Sequence, residues 1–468
     1  MISWFTHSIW LYAIEWAIVL TMLVVVPFRR SAAAARSWLL LIFFVPIIGV
    51  LLFLLIGSPR FPAWRVERFK HMRGRYRALA QKLRDHDALV GASTDVTELA
   101  ERLGYLPAVS GNAVELLDIY DEVVRRLVAD IDEAKHHVRI LSYIFADDEV
   151  GKKVIDALGR AVKRGVPCHV LIDGVGSHRW IRRTLRLLRA NGVEAVDALP
   201  FRPFRHRTRR DMRNHRKLFI IDGSIGYAGS QNIICRDFRP GVVNRELVAR
   251  VTGPAVAEMT AVFLTDWYLE TEQLLENEPA VPAPAGERRV QVLPSGADYP
   301  LEGFQTLLTW QVDRAEHEVV LVTPYLIPDD SLVSALSTAV VRGVDVRVVV
   351  SKVVDQPLVN LAQCSYYDQL LSSGVRIHRY RDYLLHSKTV RIDGSLGVLG
   401  SSNVDIRSFQ LNEEVSLLLI DPESIAALRE IQQRYIGSSD DLSLQEWRRR
   451  SPVRKFAEGL ARLVGPLL

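Results

Sequence analysis

The chain has 468 residues, enough for more than one domain and for large buried cores. Its net charge of +5 suits an anionic partner, either membrane lipid or nucleic acid, and its 49% apolar share is drawn partly from the N-terminus. Three scattered cysteines, Cys168, Cys235 and Cys364, make neither a ligand cluster nor a paired framework. That argues against structural zinc and fits a thiol-reducing compartment.

Ile9 to Val26 is an 18-residue run, almost wholly apolar, with one acid at Glu15; Arg29 and Arg30 close it. Trp38 to Ile56 is a second run of 19 residues with no charge. Each is just long enough to cross about 30 Å of hydrocarbon as a helix. The alternative for the first run is a cleaved signal peptide, although the second would still stop transfer. Pro46 and Gly49 interrupt the second run, so a kinked helix or a re-entrant hairpin stands beside the straight span. The loop between the runs carries Arg29, Arg30 and Arg36. The segment after them carries Arg60, Arg65, Arg68, Lys70, Arg73, Arg75, Arg77, Lys82 and Arg84. Two spans joined by a short loop put both flanks on one side. The heavier basic cluster then places the body in the cytoplasm, with the three loop arginines counting against it. The same cluster is expected to hold anionic headgroups, each cation contributing about 1 kcal/mol near the surface.

From about Glu115 helical and strand patterns alternate. His137–Tyr143 reads as a strand, Val150–Lys163 as a helix and Pro167–Asp173 as a strand. The order repeats with Glu318–Tyr325, Ser331–Val341 and Val344–Ser351. Local matches support a duplication: Ala134-Lys-His-His-Val138 against Ala315-Glu-His-Glu-Val319, and Arg164-Gly-Val166 against Arg342-Gly-Val344. Glu276 to Gly286, rich in proline and alanine, reads as the linker between halves. Strands alternating with helices imply an α/β sheet covered by helices. The expected divisions are an anchor at 1–60, a basic connector at 61–114, halves at 115–275 and 289–438 flanking a 276–288 linker, and an amphipathic segment at 439–468. In that last segment Ser451 caps a helix with Pro452 at its first position. Val453, Phe456, Leu460 and Leu463 form its apolar stripe, beside Arg454, Lys455 and Arg462. The stripe fits a membrane surface or packing against the body.

One motif occurs twice. His215-Arg-Lys217-Leu-Phe-Ile-Ile-Asp222-Gly precedes Gly229-Ser230-Gln-Asn232, and His386-Ser-Lys388-Thr-Val-Arg-Ile-Asp393-Gly precedes Gly400-Ser401-Ser-Asn403. In both copies Gly-Ser begins 14 residues after the His and Asn lies 17 after it. An Asn-x-Glu follows each: Asn244-Arg-Glu246 and Asn412-Glu-Glu414. A lone His-x-Lys on a strand is usually an inert edge; two matched copies point to one shared site. In a strand His215 and Lys217 face one way and Arg216 the other. Two imidazoles and two ammonium groups supply a nucleophile, a general acid and charge for phosphoryl oxygens, which is what phosphodiester exchange needs. Ser230, Asn232, Ser401 and Asn403 add hydrogen bonds to those oxygens. Glu246 and Glu414 are placed to accept from a histidine Nδ1–H, freeing Nε2. Asp222 and Asp393, beside glycine at strand ends, read as turn residues.

The doubled His-x-Lys-x4-Asp with downstream Gly-Ser and Asn resembles the signature of the phospholipase D superfamily, over roughly Glu115 to Ser438. Membrane segments ahead of such a body resemble the bacterial cardiolipin synthases. So do Arg213-Asn-His215-Arg-Lys217, Asn403-Val-Asp405-Ile-Arg407-Ser408, Leu411-Asn-Glu-Glu414, Tyr143 with Asp147, Pro294-Ser-Gly296, and Tyr325 with Asp329. The Phe238–Glu246 stretch departs from the Trp-Arg-Asp of many relatives. The resemblance implies two α/β/α sandwich halves related by a pseudo-twofold axis, preceded by two transmembrane helices, in a bacterial inner membrane. It counts Asp222 and Asp393 with the catalytic histidines and lysines. It also implies that two phosphatidylglycerols give cardiolipin and glycerol through a phosphatidyl-histidine, with no metal, no cofactor and no nucleic acid. His215 is assigned as the nucleophile and His386 as the general acid and then base, the symmetry of the repeat allowing the reverse, and the oligomeric state stays open, a dimer included. A membrane-bound phospholipase D or a nuclease on the same scaffold, the latter disfavoured by the membrane segments, and a lipid-binding scaffold without catalysis are the rivals. Arg202, Arg205, Arg207, Arg209, Arg210 and Arg213 crowd the approach to His215, either as a solvated loop or as a mouth for anionic headgroups.

Overall fold

The computed structural model describes residues 2–30, 32–57, 61–86, 89–91, 93–200, 212–276 and 278–465. The first apolar run lies within helix α1 (Ile2–Arg29), and its Tyr12–Arg29 segment is long and apolar enough to cross a bilayer. The second run makes two helices, α2 (Ala32–Phe44) and α3 (Pro46–Ile56), of 13 and 11 residues. They fold back on each other: the Trp38 and Phe53 rings lie 5.3 Å apart. Fifteen residues of continuous helix would hold those rings roughly 22 Å apart. Pro46 causes the break by starting α3 after Val45, whose φ of −139° and ψ of 72° are not helical. Gly49 lets the two arms touch, because a Cβ there would lie 2.8 Å from the Ile42 Cα. The second spanning helix expected from the sequence is therefore replaced by a helical hairpin. At 1.5 Å per residue its longer arm reaches only about 20 Å, short of the hydrocarbon thickness.

The basic connector is a built part of the body. Helix α4 (Ala63–Arg84) buries Arg65, Phe69, Met72, Tyr76, Leu79 and Leu83 at helical spacing. This face packs on the helix Ala255–Thr271, which is buried along nearly its whole length. Several cations expected to face lipid are committed elsewhere. Arg68 donates to the Leu269 carbonyl and pairs with Glu272, Lys82 reaches the Pro279 carbonyl, and Arg84 pairs with Glu101.

A fifteen-stranded mixed sheet runs through the described body. Its centre is the antiparallel pair Val109–Leu117 and Arg288–Ser295, with Val109 opposite Val290. Outward from that pair, both halves repeat one strand order. The first half runs through 248–252, 225–229, 218–221, 138–142, 168–173 and 194–198. The second runs through 414–419, 396–400, 389–392, 318–322, 345–351 and 376–380, with a short edge strand at 439–441. The duplication read from sequence is thus a continuous sheet with a pseudo-twofold axis at its centre. The first half begins earlier than Glu115, since Val109 already pairs across that axis. The repeated inner strands are Val-, Ile- and Leu-rich and covered on both faces, so they show no two-residue alternation.

The C-terminal helix Pro452–Val464 begins at Ser451, whose side chain accepts from the Arg454 amide. One face packs on the helix Pro357–Ser372, with Ala461 and Glu458 buried. Arg450 and Arg454 both pair with Glu458. Val453, Phe456, Leu460 and Leu463 stay 78%, 69%, 49% and 58% exposed.

Candidate active site

His215 and Lys217 lie just ahead of the strand Leu218–Ile221, on an extended segment that leaves its own half. Asn214 bridges to Glu413, and the His215 amide donates to the Glu413 carbonyl at 2.9 Å. The second half mirrors this: Leu384–Leu385 pairs with Asn244–Arg245, and the His386 amide donates to the Arg245 carbonyl at 2.8 Å. Each histidine is therefore stitched to the residue just before the other half's glutamate.

The side chains cross in the same way. His215 Nδ1 lies 3.0 Å from both carboxylate oxygens of Glu414. His386 Nδ1 lies 2.9 and 3.0 Å from those of Glu246. A carboxylate can only accept, so Nδ1 carries the proton and Nε2 is left free in each ring. Both rings line one cavity of about 330 Å³, together with Tyr143, Asn232, Tyr325 and Asn403. Tyr143 stands edge-on to His215 at 4.7 Å, and Tyr325 edge-on to His386 at 6.4 Å.

Lys217 and Lys388 are buried behind the histidines, and each donates to its own histidine's carbonyl, at 2.7 and 2.5 Å. Burial pushes Lys217 down to about 7 and Lys388 down to about 8, against the pull of Glu414 and Glu246. Burial also lowers His386 to about 4 and holds His215 below its ordinary value. Burial is the largest influence on Glu246 and Glu414 and opposes their ionisation, but the histidine, lysine and serine beside each together outweigh it, and both stay below the usual carboxylate range.

Asn232 lines the cavity, with its Oδ1 accepting from the Ile144 amide. Asn244, Asn403 and Asn412 also line it, and among the described residues their side-chain oxygens have no protein partner. Ser230 and Ser401, expected on the phosphate, turn the other way. Ser230 Oγ donates to the Leu247 carbonyl and takes the Leu247 amide, while Ser401 Oγ donates to Glu414. They hold the glutamate segments rather than the cavity wall. Asp222 takes the backbone amides of Lys135, His136 and His137, and Asp393 those of Glu316, His317 and Glu318. Both carboxylates staple a strand end, as the turn reading expects, and like the two lysines they stand behind the cavity lining.

Arg216, expected to point away from the site, enters a buried charge network behind it. It pairs with Asp266 at 2.6 Å and Glu413 at 2.8 Å, while Arg65 of α4 pairs with Glu270 at 2.6 Å and Asp298 at 3.0 Å. The Asp298 amide donates to Glu413, so the two arginines share one network. Arg213 pairs with Asp173 inside the protein, not at a mouth; Arg202, Arg205, Arg207, Arg209 and Arg210 lie outside the described residues. Asp147 and Asp329 serve Arg183 and a helix cap, and do not line the cavity. Sequence reasoning gave no role to Asn244 and Asn412, though both stood in the repeated Asn-x-Glu. It missed Arg239, Asp355 and Gln356, which no repeat marks.

Comparison with known proteins supplies the family. A family model described as "Cardiolipin synthase, PLD-like domain" matches residues 127–267 and 308–436. The chain is 31% identical to cardiolipin synthase A of Pectobacterium carotovorum subsp. carotovorum (strain PC1), over 94% of each chain. It is 33% identical to cardiolipin synthase A of Serratia proteamaculans (strain 568), again over 94% of each. The crystal structure of phosphatidylserine synthase from Haemophilus influenzae Rd KW20 shares the fold, with a TM-score of 0.58 at 17% identity, covering 80% of this chain and all of that one. With two His-x-Lys segments meeting across one sheet, the chain belongs to the cardiolipin synthase family of phospholipase D-like phosphatidyltransferases.

Proposed function

We propose that the chain makes cardiolipin and glycerol from two phosphatidylglycerols. The observation that carries this reading is the pair of crossed His–Glu contacts opening on one cavity. His215 Nε2 attacks phosphorus of the first lipid; the P–O bond to glycerol breaks, and the leaving oxygen takes a proton from His386 Nε2. The terminal hydroxyl of the second lipid then attacks the phosphatidyl-histidine. Its proton returns to His386, the P–N bond breaks and His215 is regenerated. Lys217 and Lys388 place positive charge behind the phosphoryl group, and Asn232 and Asn403 bind its oxygens. A phosphodiester anion beside His386 raises its affinity for a proton, so substrate and acid proton arrive together.

The second lipid must outcompete water. Docking on the bilayer supplies acceptor at high local concentration and keeps the mouth dry. Two elements serve that docking: the anchor α1–α3, and the exposed apolar stripe of the C-terminal helix. The body lies in the cytoplasm, on the side carrying the basic residues. Incubation of the purified chain with phosphatidylglycerol vesicles tests the reading: cardiolipin with glycerol is expected. Phosphatidic acid with glycerol and no cardiolipin would instead make it a membrane-bound phospholipase D.

A further inference from the structure

The cavity is pseudo-symmetric at its histidines but not along its wall. On the His386 side, Tyr325 stands next to the imidazole and donates its hydroxyl to Asp355 Oδ2 at 2.7 Å. Arg239 pairs with that same oxygen, and Gln356 Nε2 reaches the Tyr325 hydroxyl at 2.7 Å. All four residues line the cavity. Neither contact involves Asp355 Oδ1. Aligning Val166 with Val344 puts Ser177 where the second half has Asp355. Ser177 is fully buried and spent internally, donating to the Tyr143 carbonyl and taking the Phe145 amide. The duplication therefore presents carboxylates to the cavity from the second half only: Asp355, and Asp405, whose Oδ1 is taken up by the Ser408 amide.

A carboxylate on the wall of a cavity that receives a phosphate repels that phosphate, unless it faces a part of the ligand rich in donors. A carboxylate only accepts, and its natural neutral partner is a hydroxyl. We propose that Asp355, held by Arg239 and Tyr325 and flanked by Gln356, forms a polyol subsite that binds the free hydroxyls of a glycerol headgroup beside His386. This rests on the phosphatidyl-transfer reading and deepens it. In-line exchange at phosphorus puts leaving and entering oxygens at the same apical position, opposite the nucleophile. One diol subsite then serves both the departing glycerol and the incoming one. The asymmetry also separates the histidines: the subsite lies on the side of His386, which makes His386 the acid and base and His215 the nucleophile. A buried acceptor built for a hydroxyl discriminates against an alcohol that lacks it, since that acceptor loses its solvent and gains no partner.

The test is acceptor competition. Full-length protein in phosphatidylglycerol vesicles is given labelled glycerol and labelled 1-propanol at equal concentration, and the two phosphatidyl alcohols are counted. The native chain is expected to favour glycerol, and Asp355→Asn to lower the glycerol-to-propanol ratio about 10- to 100-fold, the loss of a hydrogen bond to a charged group. Gln356→Leu, which spares the Asp355–Arg239 pair, is expected to lower the ratio by a smaller factor. An unchanged ratio in both variants, or an equal loss with both alcohols, overturns the subsite. A native chain that uses both alcohols equally also overturns it. No transfer to either alcohol by the native chain is a different result and overturns the phosphatidyl-transfer reading itself.

Discussion

At the scale of single residues, the crossed pairing makes a prediction that an uncrossed one would reverse. Glu414→Gln removes the acceptor of His215, and Glu246→Gln that of His386. With His215 as nucleophile, Glu414→Gln slows formation of the phosphatidyl-enzyme, whereas Glu246→Gln slows glycerol release and acceptor activation. Each substitution is expected to cost on the order of 10²–10⁴ in kcat. Rapid-quench trapping of the labelled acid-labile intermediate separates the two, and His215→Ala abolishes it. The buried lysines set the pH dependence. Lys217, pushed to about 7, and Lys388, pushed to about 8, lose protons across that window, so kcat/KM falls on the basic side there. A bound phosphate favours the ammonium form, so the basic limb of kcat is expected at higher pH than that of kcat/KM. Coincident limbs would contradict a charge role for the lysines. The histidines, lysines and glutamates were legible because each occurs twice at matched spacing. The sense of the Glu–His pairing was not, because it depends on segments 199 and 140 residues apart lying side by side. Ser230 and Ser401 carry the repeat equally well and yet face away: a repeat marks a position, not the direction of its side chain.

At the scale of elements, several inner strands and body helices follow their apolar patterns to within a residue or two, as at Val138–Ser142, Glu149–Lys163 and Asp345–Ser351, while the strand expected to run to Tyr325 ends at Val322. Helix α4 shows where pattern reading stops. Its abundant cations read as a lipid-facing connector, while the 65, 69, 72, 76, 79, 83 spacing that docks it is visible only once Arg65 is allowed to be a core residue. Arg65 is fully buried between Asp298 and Glu270, in the network that reaches Glu413, the neighbour of Glu414. Arg65→Met keeps the apolar stem but leaves buried carboxylates uncompensated, and is expected to destabilise the body by roughly 3–5 kcal/mol. Lys70→Met, at an exposed pair with Glu67, should change stability by less than about 1 kcal/mol. Denaturant unfolding of both variants is the measurement; similar midpoints would remove Arg65 from the supporting framework. The C-terminal helix has its own check. Phe456→Trp puts a reporter on the exposed stripe, and its fluorescence should shift blue on adding vesicles with anionic lipid, less with neutral lipid.

At the scale of the whole molecule, the hairpin changes how the chain is threaded through the bilayer. Two full spans would return the chain to the side where it started, with N-terminus and body together and Arg29, Arg30 and Arg36 opposite the larger basic cluster. We propose that the α2–α3 hairpin, whose arms of 13 and 11 residues pack against each other, enters and leaves on one side. Only α1 then crosses. In this proposed threading the body shares a side with the α1–α2 loop, and the start of α1 lies across the membrane. The proposed threading puts the three loop arginines, which oppose a two-span arrangement, on the same side as Arg68, Lys70 and the rest of α4, as the positive-inside rule favours. Pattern length alone does not separate the two threadings, since 19 apolar residues suffice for a span. What separates them is Pro46 breaking the helix and Gly49 admitting the Ile42 backbone. The prediction is read with single cysteines in a chain whose Cys168, Cys235 and Cys364 are replaced by serine. In cells whose cytoplasmic membrane is intact and reachable by the reagent, Ser3→Cys should react with an impermeant maleimide, while Ser37→Cys and Lys70→Cys should react only after that membrane is opened. A protected residue 3 together with a labelled residue 37 would restore the two-span arrangement. Gly49→Leu should then discriminate further: forcing the arms apart is expected to turn the second run into a span and carry the body to the wrong side, with loss of cardiolipin synthesis.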